Sequence, residues 1–473
     1  MDEEGERVTY DEFLESKKER AISSGFTKPK GEMNQALFEW QRDVVYWALR
    51  KGRAALFEDC GLGKSAQSLE WAESVCDHTG KPVLIVCPLT VVEQFRREGV
   101  KFGFRPVKPC RTQEDVENGV NVTNYEMLSH FDACAFGGVV LDESSCLKDY
   151  TSSTRNEIID MFKDTEYKLS CTATPSPNDY MELGNQAEFL GVMNRTEMLA
   201  TYFTHDGGET SKWRLKGHAE DRFWEWVATW AVVLTTPADL GYDATGYDLP
   251  PKITTEHLVE CEVVTKEGNY MLFAEVAKTL NERREARRNS LHARCQKAAD
   301  LVAEKPNEQW ILWCDLNDES DELARLIPGS VEIRGSYDPD VKAERVKQFT
   351  DGEIRYLISK PSITGWGVNW QMCHNMIFVG LSDSFEMQYQ AVRRCWRFGQ
   401  TNPVNVHIIT SDAEGAVKDN VERKERQAKA MTSEMVQHTK EILEQEIRGT
   451  TRITIPYNPQ MEMVIPTWLR STT

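Results

Sequence analysis

The sequence contains no long apolar run and no closely paired cysteines. No uninterrupted apolar stretch approaches the roughly 20 residues that a helix needs to cross a bilayer. Residues 1–6 are acidic and lack the basic and apolar regions of a signal peptide. The twelve cysteines are scattered without a Cys-x-x-Cys pair, which argues against a zinc ribbon and for reduced thiols. We therefore expect a cytosolic protein with no membrane segment.

Length and charge set two further limits. At 473 residues the chain is too long for one ordinary hydrophobic core, so we expect two or three domains. Its 56 Lys and Arg residues against 75 Asp and Glu residues give a formal net charge of −19. A surface of that sign does not attract polyanions as a whole, so nucleic-acid binding would have to use local basic patches. There is no short internal repeat and no low-complexity segment.

Residues 57–65, Phe-Glu-Asp-Cys-Gly-Leu-Gly-Lys-Ser, have the layout of a phosphate-binding loop. The apolar run at 54–57 predicts a buried strand, and residues 66–72 predict a helix. A strand, a glycine loop and a helix in that order place the helix N-terminus, with its partial positive charge, against a bound anion.

The residues of this loop are of the types that phosphate binding needs. Gly61 and Gly63 let backbone N–H groups approach phosphates without an intervening Cβ. Lys64 can reach the β- and γ-phosphates, and Ser65 can place its hydroxyl on Mg²⁺. The strict motif has glycine where this chain has Glu58. The alternative is a glycine-rich turn with a surface lysine, which the flanking strand and helix disfavour.

Gln41 lies on a predicted helix just before the phosphate loop. Apolar residues at positions 37, 40, 44, 45 and 48 have helical spacing. A glutamine amide donates and accepts together, which suits the edge of an adenine ring. An ordinary polar position on an amphipathic helix is an equally good interpretation.

Asp142 and Glu143 follow a predicted buried strand at 139–141. In a phosphate-loop enzyme the first carboxylate helps to hold Mg²⁺, and the second can polarise the attacking water. An acidic pair at the end of a strand is common. The position of this pair after a phosphate loop, with strands between, favours the catalytic interpretation.

Hydroxyl, amide and phenol side chains follow three other predicted strands. Thr90, then Asn124 and Tyr125, stand where loops line the ligand edge of a parallel sheet. Thr172 and Thr174 follow the next strand and lie close in sequence to the carboxylate pair. These two hydroxyls are candidates for relaying the nucleotide state to another lobe, although capping of a strand-to-helix loop explains them as well.

Residues 195–250 are less regular and rich in tryptophan. The spacing of positions 223, 227, 230 and 234 is helical, so we assign most of these aromatic side chains to the core. The basic and aromatic residues 212–216 are a weaker candidate for nucleic-acid contact. Prolines and glycines between 237 and 251 predict a linker.

The second half also alternates strands and helices, which predicts a second parallel sheet. Its first part, 270–300, is the most basic stretch of the chain and is predicted as a long helix. Arg287 and Arg288 in this stretch are candidates for binding a phosphate backbone, against the ordinary alternative of a solvated charged face. Residues 412–448 predict a charged helix with a thin apolar stripe that packs back on the rest of the protein.

Two further groups of polar residues stand in the second half. Thr364 and Gly365 belong to a loop of glycine and hydroxyl residues after a strand. Gln390, Arg394 and Arg397 belong to a cluster of three arginines, of which 394 and 397 are three apart and so share a helical face. The planar guanidinium suits a phosphate in a transition state. The alternative is a surface salt-bridge cluster.

In this order the motifs resemble those of superfamily 2 helicases and translocases, in the Swi/Snf-like branch and its phage-like relatives. The resemblance runs from about residue 37 to residue 400, and its segments are Gln41, 59–65, 142–145, 172–175 with Asn178, Glu182 and Leu183, then Gly365-x-Gly367-x-Asn369 and 390–400. It implies an α/β fold of two RecA-like lobes, each a parallel sheet flanked by helices, with ATP between them.

The resemblance also implies roles for individual residues. The nucleotide and Mg²⁺ would be held by Gln41, Gly61, Gly63, Lys64, Ser65, Asp142 and Gln390. Glu143 would be the general base, and Arg394 and Arg397 would be arginine fingers. DNA would contact the loops around Thr90, Asn124, Tyr125, Thr364 and Gly365 as the lobes close and open.

We therefore expect a DNA-stimulated ATPase that uses ATP and Mg²⁺ to move along or unwind single- or double-stranded DNA. An ATP-gated remodelling or binding module without strand separation is the alternative from another class, and an RNA helicase is a weaker one. We expect a monomer in the cytoplasm of a bacterium or phage-infected cell, with a protein partner for targeting. The expected domains are 1–35 (helix and loop), 36–250 (first lobe with a helical extension from about 195), 251–411 (second lobe) and 412–473 (helix and tail).

Overall fold

The computed structural model describes residues 23–206, 209–259, 288, 290–365, 367–380, 384–411 and 415–448. Most of the predicted N-terminal helix, Arg287 with most of the basic stretch, and the tail after residue 448 lie outside the described residues.

Two parallel sheets form the centre of the structure, which confirms the predicted α/β fold. The first has seven strands in the order β3-β4-β2-β5-β6-β1-β9, and every neighbouring pair is parallel. Its strands are β1 (Arg53–Glu58), β2 (Val83–Cys87), β3 (Lys108–Pro109), β4 (Val120–Asn124), β5 (Gly138–Asp142), β6 (Tyr167–Thr172) and β9 (Ala231–Leu234). We call this sheet and its helices the first lobe.

Both faces of the first sheet are buried. Ala54 and Leu56 of β1 pack into one apolar cluster, and the alternate residues Ala55 and Phe57 pack into another. The helices of this lobe are α1 (Glu39–Lys51), α2 (Lys64–Thr79), α3 (Val92–Phe102), α4 (Ser153–Met161), α5 (Leu183–Leu190), α6 (Arg195–Tyr202) and α7 (Glu220–Ala228). An apolar strand that buries both faces explains why these strands read as continuous hydrophobic runs.

The second sheet has six strands in the order β10-β15-β14-β11-β13-β12, again all parallel. Its strands are β10 (Lys252–Val259), β11 (Trp310–Trp313), β12 (Ser330–Ile333), β13 (Tyr356–Ser359), β14 (Asn375–Phe378) and β15 (Val404–Ser411). The helices are α8 (Leu291–Glu304), α9 (Asn317–Leu326), α10 (Pro339–Thr350), α11 (Pro361–Thr364) and α12 (Phe385–Val392). We call this sheet and its helices the second lobe.

The tryptophan-rich region differs from the predicted helical extension. It contains the antiparallel hairpin of β7 (Phe203–Asp206) and β8 (Glu209–Leu215), and α7 ends at Ala228 instead of continuing to residue 234. Ala231 to Leu234 instead form β9, which pairs with β1 at the edge of the first sheet. Trp224, Trp226 and Trp230 are almost fully buried, so the assignment of these side chains to the core is confirmed.

A helix of 34 residues, α13 (Gly415–Arg448), follows the second sheet and packs back on the first lobe. Met435, Leu443 and Ile447 enter the apolar clusters of the first lobe, whereas Ala428 packs against that of the second. The predicted C-terminal helix therefore contacts both lobes. Within the described part of the chain, none of the helices is both long and apolar enough to cross a membrane.

Candidate functional site

The phosphate loop lies between the end of β1 and the start of α2. Gly61 and Gly63 have φ angles of +93° and +85°, a backbone conformation that side chains other than glycine's rarely adopt. The Lys64 ammonium donates to the backbone carbonyls of Glu58 at 2.6 Å and Asp59 at 3.2 Å. Its charge is therefore held inside the loop, at the N-terminus of a 16-residue helix whose first turn also contains Ser65.

Glu58, where the strict motif has glycine, is bound by the helix that follows the loop. Its side chain is fully buried, and the Gln67 amide donates to its Oε2 at 2.7 Å. Burial raises the pKa of Glu58 to about 7, although Lys64 and Gln67 both act to lower it. The chain thus replaces a glycine by a buried carboxyl group that ties β1 to α2.

Gln41 is buried against the phosphate loop. Its Oε1 accepts from the backbone N–H of Phe38 at 2.9 Å, and its Nε2 donates to the carbonyl of Leu62 at 2.8 Å. A Cβ atom at Gly63 would lie only 2.4 Å from that Nε2. The structure therefore shows Gln41 as a buried polar residue that bonds both the start of its own helix and the phosphate loop, while its contact with adenine stays a prediction.

Asp142 and Glu143 lie at the end of β5, and both are buried. Glu143 has a φ of +53°, and no other non-glycine residue in the described part of the chain has a positive φ. Such backbone strain costs about 1–3 kcal/mol and concentrates at functional sites. Its Oε2 is buried without a hydrogen-bond partner among the described residues. An unpaired carboxylate oxygen in a strained position is suited to accept a bond from a reactant.

The pKa values of both carboxyl groups are raised. Burial is the main cause for each, and for Asp142 the neighbouring Glu143 adds to it. The positive charges of Lys64, Arg394 and Arg397, in decreasing order of effect, act in the opposite direction and lower the pKa of Glu143. The first cation comes from the first lobe and the two arginines come from the second, so the charges of both lobes act on one carboxylate.

Polar side chains hold this strand end in place, and Gln186 among them was not singled out in the sequence analysis. The Gln186 amide of α5 donates to the carbonyl of Ser144 at 2.9 Å and accepts from the Ser170 hydroxyl of β6 at 2.5 Å. The Tyr125 hydroxyl donates to the carbonyl of Asp142 at 2.7 Å. No sequence signal pointed to Gln186, because it lies in the middle of an apolar helix.

Thr172 is the last residue of β6 and Thr174 follows the strand, where its side chain contacts the opposite lobe. The Thr172 hydroxyl accepts from the backbone N–H of Thr174 at 3.1 Å, and the Thr174 hydroxyl donates to Oε1 of Glu386 at 3.1 Å. The ammonium of Lys148, in the loop after the carboxylate pair, binds the other oxygen of Glu386. Glu386, which the sequence analysis did not single out, is almost fully buried in this contact.

Gln390, Arg394 and Arg397 lie together at the carboxyl-terminal end of α12. The helix ends at Val392, so the two arginines follow it in a turn and do not share a helical face, contrary to the prediction. Both donate to the carbonyl of Val368, at 3.4 Å from Arg394 and 3.1 Å from Arg397. Gln390 accepts from Arg394 at 2.7 Å. Arg394 is only 2% exposed, which rules out a surface salt-bridge cluster.

A further arginine, Arg393, binds the phosphate loop directly. Its Nη2 lies 2.8 Å from Oδ2 of Asp59, and the Tyr389 hydroxyl donates to Oδ1 of the same carboxylate at 2.6 Å. The sulfur of Cys60 lies 3.6 Å from Oε1 of Gln390. The sequence displays Arg393 as a member of the arginine cluster, but its pairing with Asp59 depends on how the lobes meet.

Two of the candidate DNA-binding residues line a cavity between the lobes. Thr90 and Asn124 line a cavity of about 810 Å³ together with Asn369 of the second lobe. Five cationic side chains line the same cavity: Arg97, Lys101, Lys108, Arg111 and Lys342. Four acidic ones also line it: Glu93, Glu98, Asp115 and Asp340. The cavity is therefore of mixed charge, with a small excess of positive groups.

The other described candidates are not part of the lining of this cavity. Tyr125 is half-buried with its hydroxyl on Asp142, and Thr364 is fully buried, so in this arrangement its side chain cannot touch a ligand. A Cβ at Gly365 would meet the carbonyl of Pro361 at 2.2 Å, which explains the glycine. Arg288 is exposed beside the start of α8.

Part of the predicted basic surface is instead core. Arg294, which falls within the basic stretch, is fully buried on α8 and pairs with Glu319 of α9 at 2.8 Å. The carbonyl of Val379 also accepts from its guanidinium. Arg294 therefore has a structural role in the second lobe and is not part of the predicted phosphate-binding surface.

Comparison with known proteins identifies the two lobes. Residues 40–205 match the SNF2-related domain, and residues 293–399 match the helicase conserved C-terminal domain. The chain belongs to the Swi/Snf-like branch of superfamily 2. The resemblance inferred from the motifs is thereby confirmed, while its phage-like part stays a prediction.

Several Swi/Snf relatives are similar over part of the chain. The human DNA excision repair protein ERCC-6-like is 30% identical over 200 residues, which are 35% of this chain and 16% of that protein. The Xenopus tropicalis SWI/SNF-related matrix-associated actin-dependent regulator of chromatin subfamily A-like protein 1 is 26% identical over 173 residues, or 33% and 17% of the two chains. The matched segment thus spans about a sixth of the length of these relatives.

Among solved structures, the Sulfolobus solfataricus SWI2/SNF2 ATPase core in complex with dsDNA aligns with a TM-score of 0.40 and 16% identity. The alignment covers 88% of this chain and 97% of that one.

The Swi/Snf-like site has the features that ATP and Mg²⁺ require. The phosphate loop has two glycines in the left-handed region and a lysine held inside it. Two buried polar atoms have no hydrogen-bond partner among the described residues: Oε2 of Glu143 in the first lobe and Nε2 of Gln390 in the second. No group of three or more His, Cys, Asp or Glu side chains within the described ranges is arranged to hold a metal.

Proposed function

We propose that this protein is an ATPase that uses the cleft between its lobes to translocate on DNA. One observation supports the proposal most directly. Glu143 has a strained backbone and a carboxylate oxygen without a partner among the described residues, and its negative charge is stabilised by Lys64 of its own lobe and by two arginines of the other lobe. A site assembled from both lobes ties hydrolysis to their relative position.

The first lobe would bind the triphosphate. Lys64 now donates to two loop carbonyls, and a phosphate group would replace them as a stronger, charged partner. The backbone N–H groups at Gly61 and Gly63 and the N-terminus of α2 would contribute further to anion binding. Ser65 and Asp142 would hold Mg²⁺, which when bound neutralises charge on the phosphates. Gln41, fixed against the loop, would face the adenine.

Glu143 would accept a proton from the attacking water. Burial keeps its pKa above that of a free carboxyl group, which brings a general base closer to the working pH. Arg394 and Arg397 would donate to the oxygens on which charge develops, at the expense of their present bonds to Val368 and Gln390. Gln390 would then offer its unpaired amide N–H to the nucleotide.

Movement would follow from the contacts between lobes. Thr174, next to the carboxylate pair, binds Glu386 of the second lobe, so a change at the phosphates has a direct route to α12. Thr90, Asn124, Tyr125 and the loop at Thr364 and Gly365 would bind a DNA backbone near the cleft. A DNA track is supported by the similarity to a protein named for DNA excision repair. We also propose the domain limits 36–250 and 251–411 for the lobes.

Two assays run in parallel test this function. A triplex-displacement assay reports translocation along duplex DNA, and a strand-displacement assay on forked DNA reports unwinding. We expect ATP-dependent triplex displacement by the wild type and none by Lys64→Ala. Strand displacement in addition would extend the proposal to a helicase. Failure of the wild type in both assays, with ATP hydrolysis intact, would favour a remodelling module that does not translocate.

A further inference from the structure

The carboxylate of Asp59 lies at the centre of a contact between the lobes that involves no nucleotide. It accepts from the Tyr389 hydroxyl at 2.6 Å and from Arg393 at 2.8 Å, and it also accepts from the backbone N–H of Cys60 at 2.7 Å. The Arg393 side chain is 4% exposed and that of Asp59 is 24% exposed. A guanidinium removed from water to this degree depends strongly on its partner.

Both halves of this contact are joined covalently to catalytic elements. On one side, Asp59 is a residue of the phosphate loop, and its carbonyl accepts from Lys64. On the other side, Arg393 directly precedes Arg394 and stands at the turn that ends α12. The ion pair therefore sets the distance between the loop that would hold the phosphates and the turn that carries the arginines.

Other contacts restrict the same unit. At the opposite end of α12, Glu386 is bound by Thr174 and Lys148 of the first lobe. Beyond the arginines, a Cβ at Gly61 would lie 3.0 Å from the backbone nitrogen of Phe398, so loop and turn are in van der Waals proximity. The helix and its turn are thus docked on the first lobe at three points, and the one charged contact beside the arginines is that of Asp59 with Arg393, the residue directly before Arg394.

We propose that Arg393 is a positioning residue that, through Asp59 and with Tyr389, docks the turn of Arg394 and Arg397 on the phosphate loop before any nucleotide binds. This inference rests on the proposed ATPase function. Its consequence is that the arginines are already in place without DNA, so the enzyme has a basal rate of hydrolysis that depends on this pair. DNA bound across both lobes would bring them together by independent contacts.

Turnover in variants tests the proposal. In Arg393→Met the charge is lost but much of the aliphatic volume remains; Arg393→Lys keeps the charge, and Tyr389→Phe removes one hydroxyl. The matched control is Arg334→Met, which removes an arginine paired with Glu332 within the second lobe, away from the phosphate loop. For each protein, kcat is measured without DNA and with saturating DNA, and ADP affinity is measured by calorimetry.

We expect Arg393→Met to lower kcat without DNA about tenfold, the equivalent of about 1.4 kcal/mol, and to leave kcat with DNA within about threefold. Tyr389→Phe and Arg393→Lys should show smaller losses of the same kind, and Arg334→Met should show none. ADP affinity should be unchanged in all of them. Equal losses with and without DNA, or no loss, would contradict the proposal.

Two further measurements separate this proposal from the function on which it rests. Hydrogen exchange of the nucleotide-free protein should be about tenfold faster at residues 385–398 in Arg393→Met than in the wild type, whether or not the protein hydrolyses ATP. Adding Asp59→Asn to Arg393→Met should cause little further loss, because the partners act as a pair. Unchanged exchange, or additive losses, would overturn the docking role even in an active ATPase. If the wild type does not hydrolyse ATP but the exchange difference between it and Arg393→Met is present, only the proposed ATPase function is overturned.

Discussion

The hydroxyl of Thr174 in the first lobe donates a 3.1 Å hydrogen bond to the carboxylate of Glu386 in the second. Lys148 binds the other oxygen of that carboxylate, so two groups next to the candidate base meet one buried acid. Glu386 also contributes to the raised pKa of Glu143. This acid is therefore linked both to the catalytic carboxylate and to the helix that leads to the arginines.

We expect Glu386→Ala to lower DNA-stimulated turnover about tenfold without changing nucleotide affinity, because a hydrogen bond to a charged group contributes about 1.5–3 kcal/mol. Steady-state hydrolysis with saturating DNA and calorimetry with ADP give the two values. Glu353→Gln, at an exposed acid of the same lobe, serves as the control. A loss in affinity as large as the loss in turnover would show that Glu386 holds the fold and does not couple the lobes.

Arg397→Ala should affect turnover far more than binding. A finger acts mainly on charge that develops in the transition state, so we expect kcat to fall about 10³-fold. Burial together with the nearby Arg394 lowers the pKa of Arg397 to about 10, which still leaves it charged at neutral pH. The checks are kcat from single-turnover hydrolysis and Kd from titration with ADP. Comparable losses in the two constants would argue against a finger.

Asp142 makes the stability of the nucleotide-free protein depend on pH. Burial, followed by the charge of Glu143, raises its pKa, so the folded protein holds this proton more tightly than the unfolded chain does. Its contribution to stability is therefore full below the unfolded pKa and is lost as pH rises toward the folded pKa.

The substitution Asp142→Asn replaces this carboxyl group with a neutral amide, so the loss of stability with rising pH disappears. Without nucleotide and Mg²⁺ we expect its Tm to exceed that of the wild type at pH 8 by about 2–4 °C, or about 1 kcal/mol for a lobe of this size. The gain should shrink at pH 5. Asp351→Asn, at an exposed acid, should give the same small difference at both pH values. A gain for Asp142→Asn that is independent of pH, or a loss at pH 8, would be inconsistent with a raised pKa.

The buried pair of Arg294 and Glu319 should matter for stability and not for DNA binding. Arg294→Met removes the cation that pairs with the buried carboxylate of Glu319, and we expect the second lobe to lose about 3–5 kcal/mol in urea unfolding. The double variant with Glu319→Leu should recover part of this loss, because the buried charge is then gone, although the backbone N–H groups of Asp315 and Leu316 lose their acceptor. A single variant of normal stability but weaker DNA binding would restore Arg294 to the phosphate-binding surface.

The sequence was sufficient where chemistry is local. A phosphate loop, an acidic pair after an apolar strand and an arginine-rich segment are each contiguous, so Lys64, Asp142, Glu143 and Arg394 could be named without a structure. The two sheets could be predicted too, because strands buried on both faces read as short apolar runs between helical patterns.

What escaped prediction depends on tertiary contacts. Residues 231–234 continue a helical spacing in sequence, yet they form an edge strand because β1 offers a free edge beside them. Arginine side chains usually lie at the surface. Arg294 is instead buried, because Glu319 lies opposite it on another helix. Glu386 and the Asp59 pairing with Arg393 join residues more than 200 positions apart, and no local pattern encodes such contacts.

Steady-state ATP hydrolysis by the pure protein is the most direct test of the central claim that one site built from both lobes hydrolyses ATP and responds to DNA. Turnover is measured alone and with single-stranded, duplex and forked DNA and with RNA, for the wild type, Lys64→Ala and Glu143→Gln. We expect stimulation by DNA and not by RNA, and loss of hydrolysis in both variants. Normal turnover in either variant, or no hydrolysis by the wild type with any nucleic acid, would contradict the account.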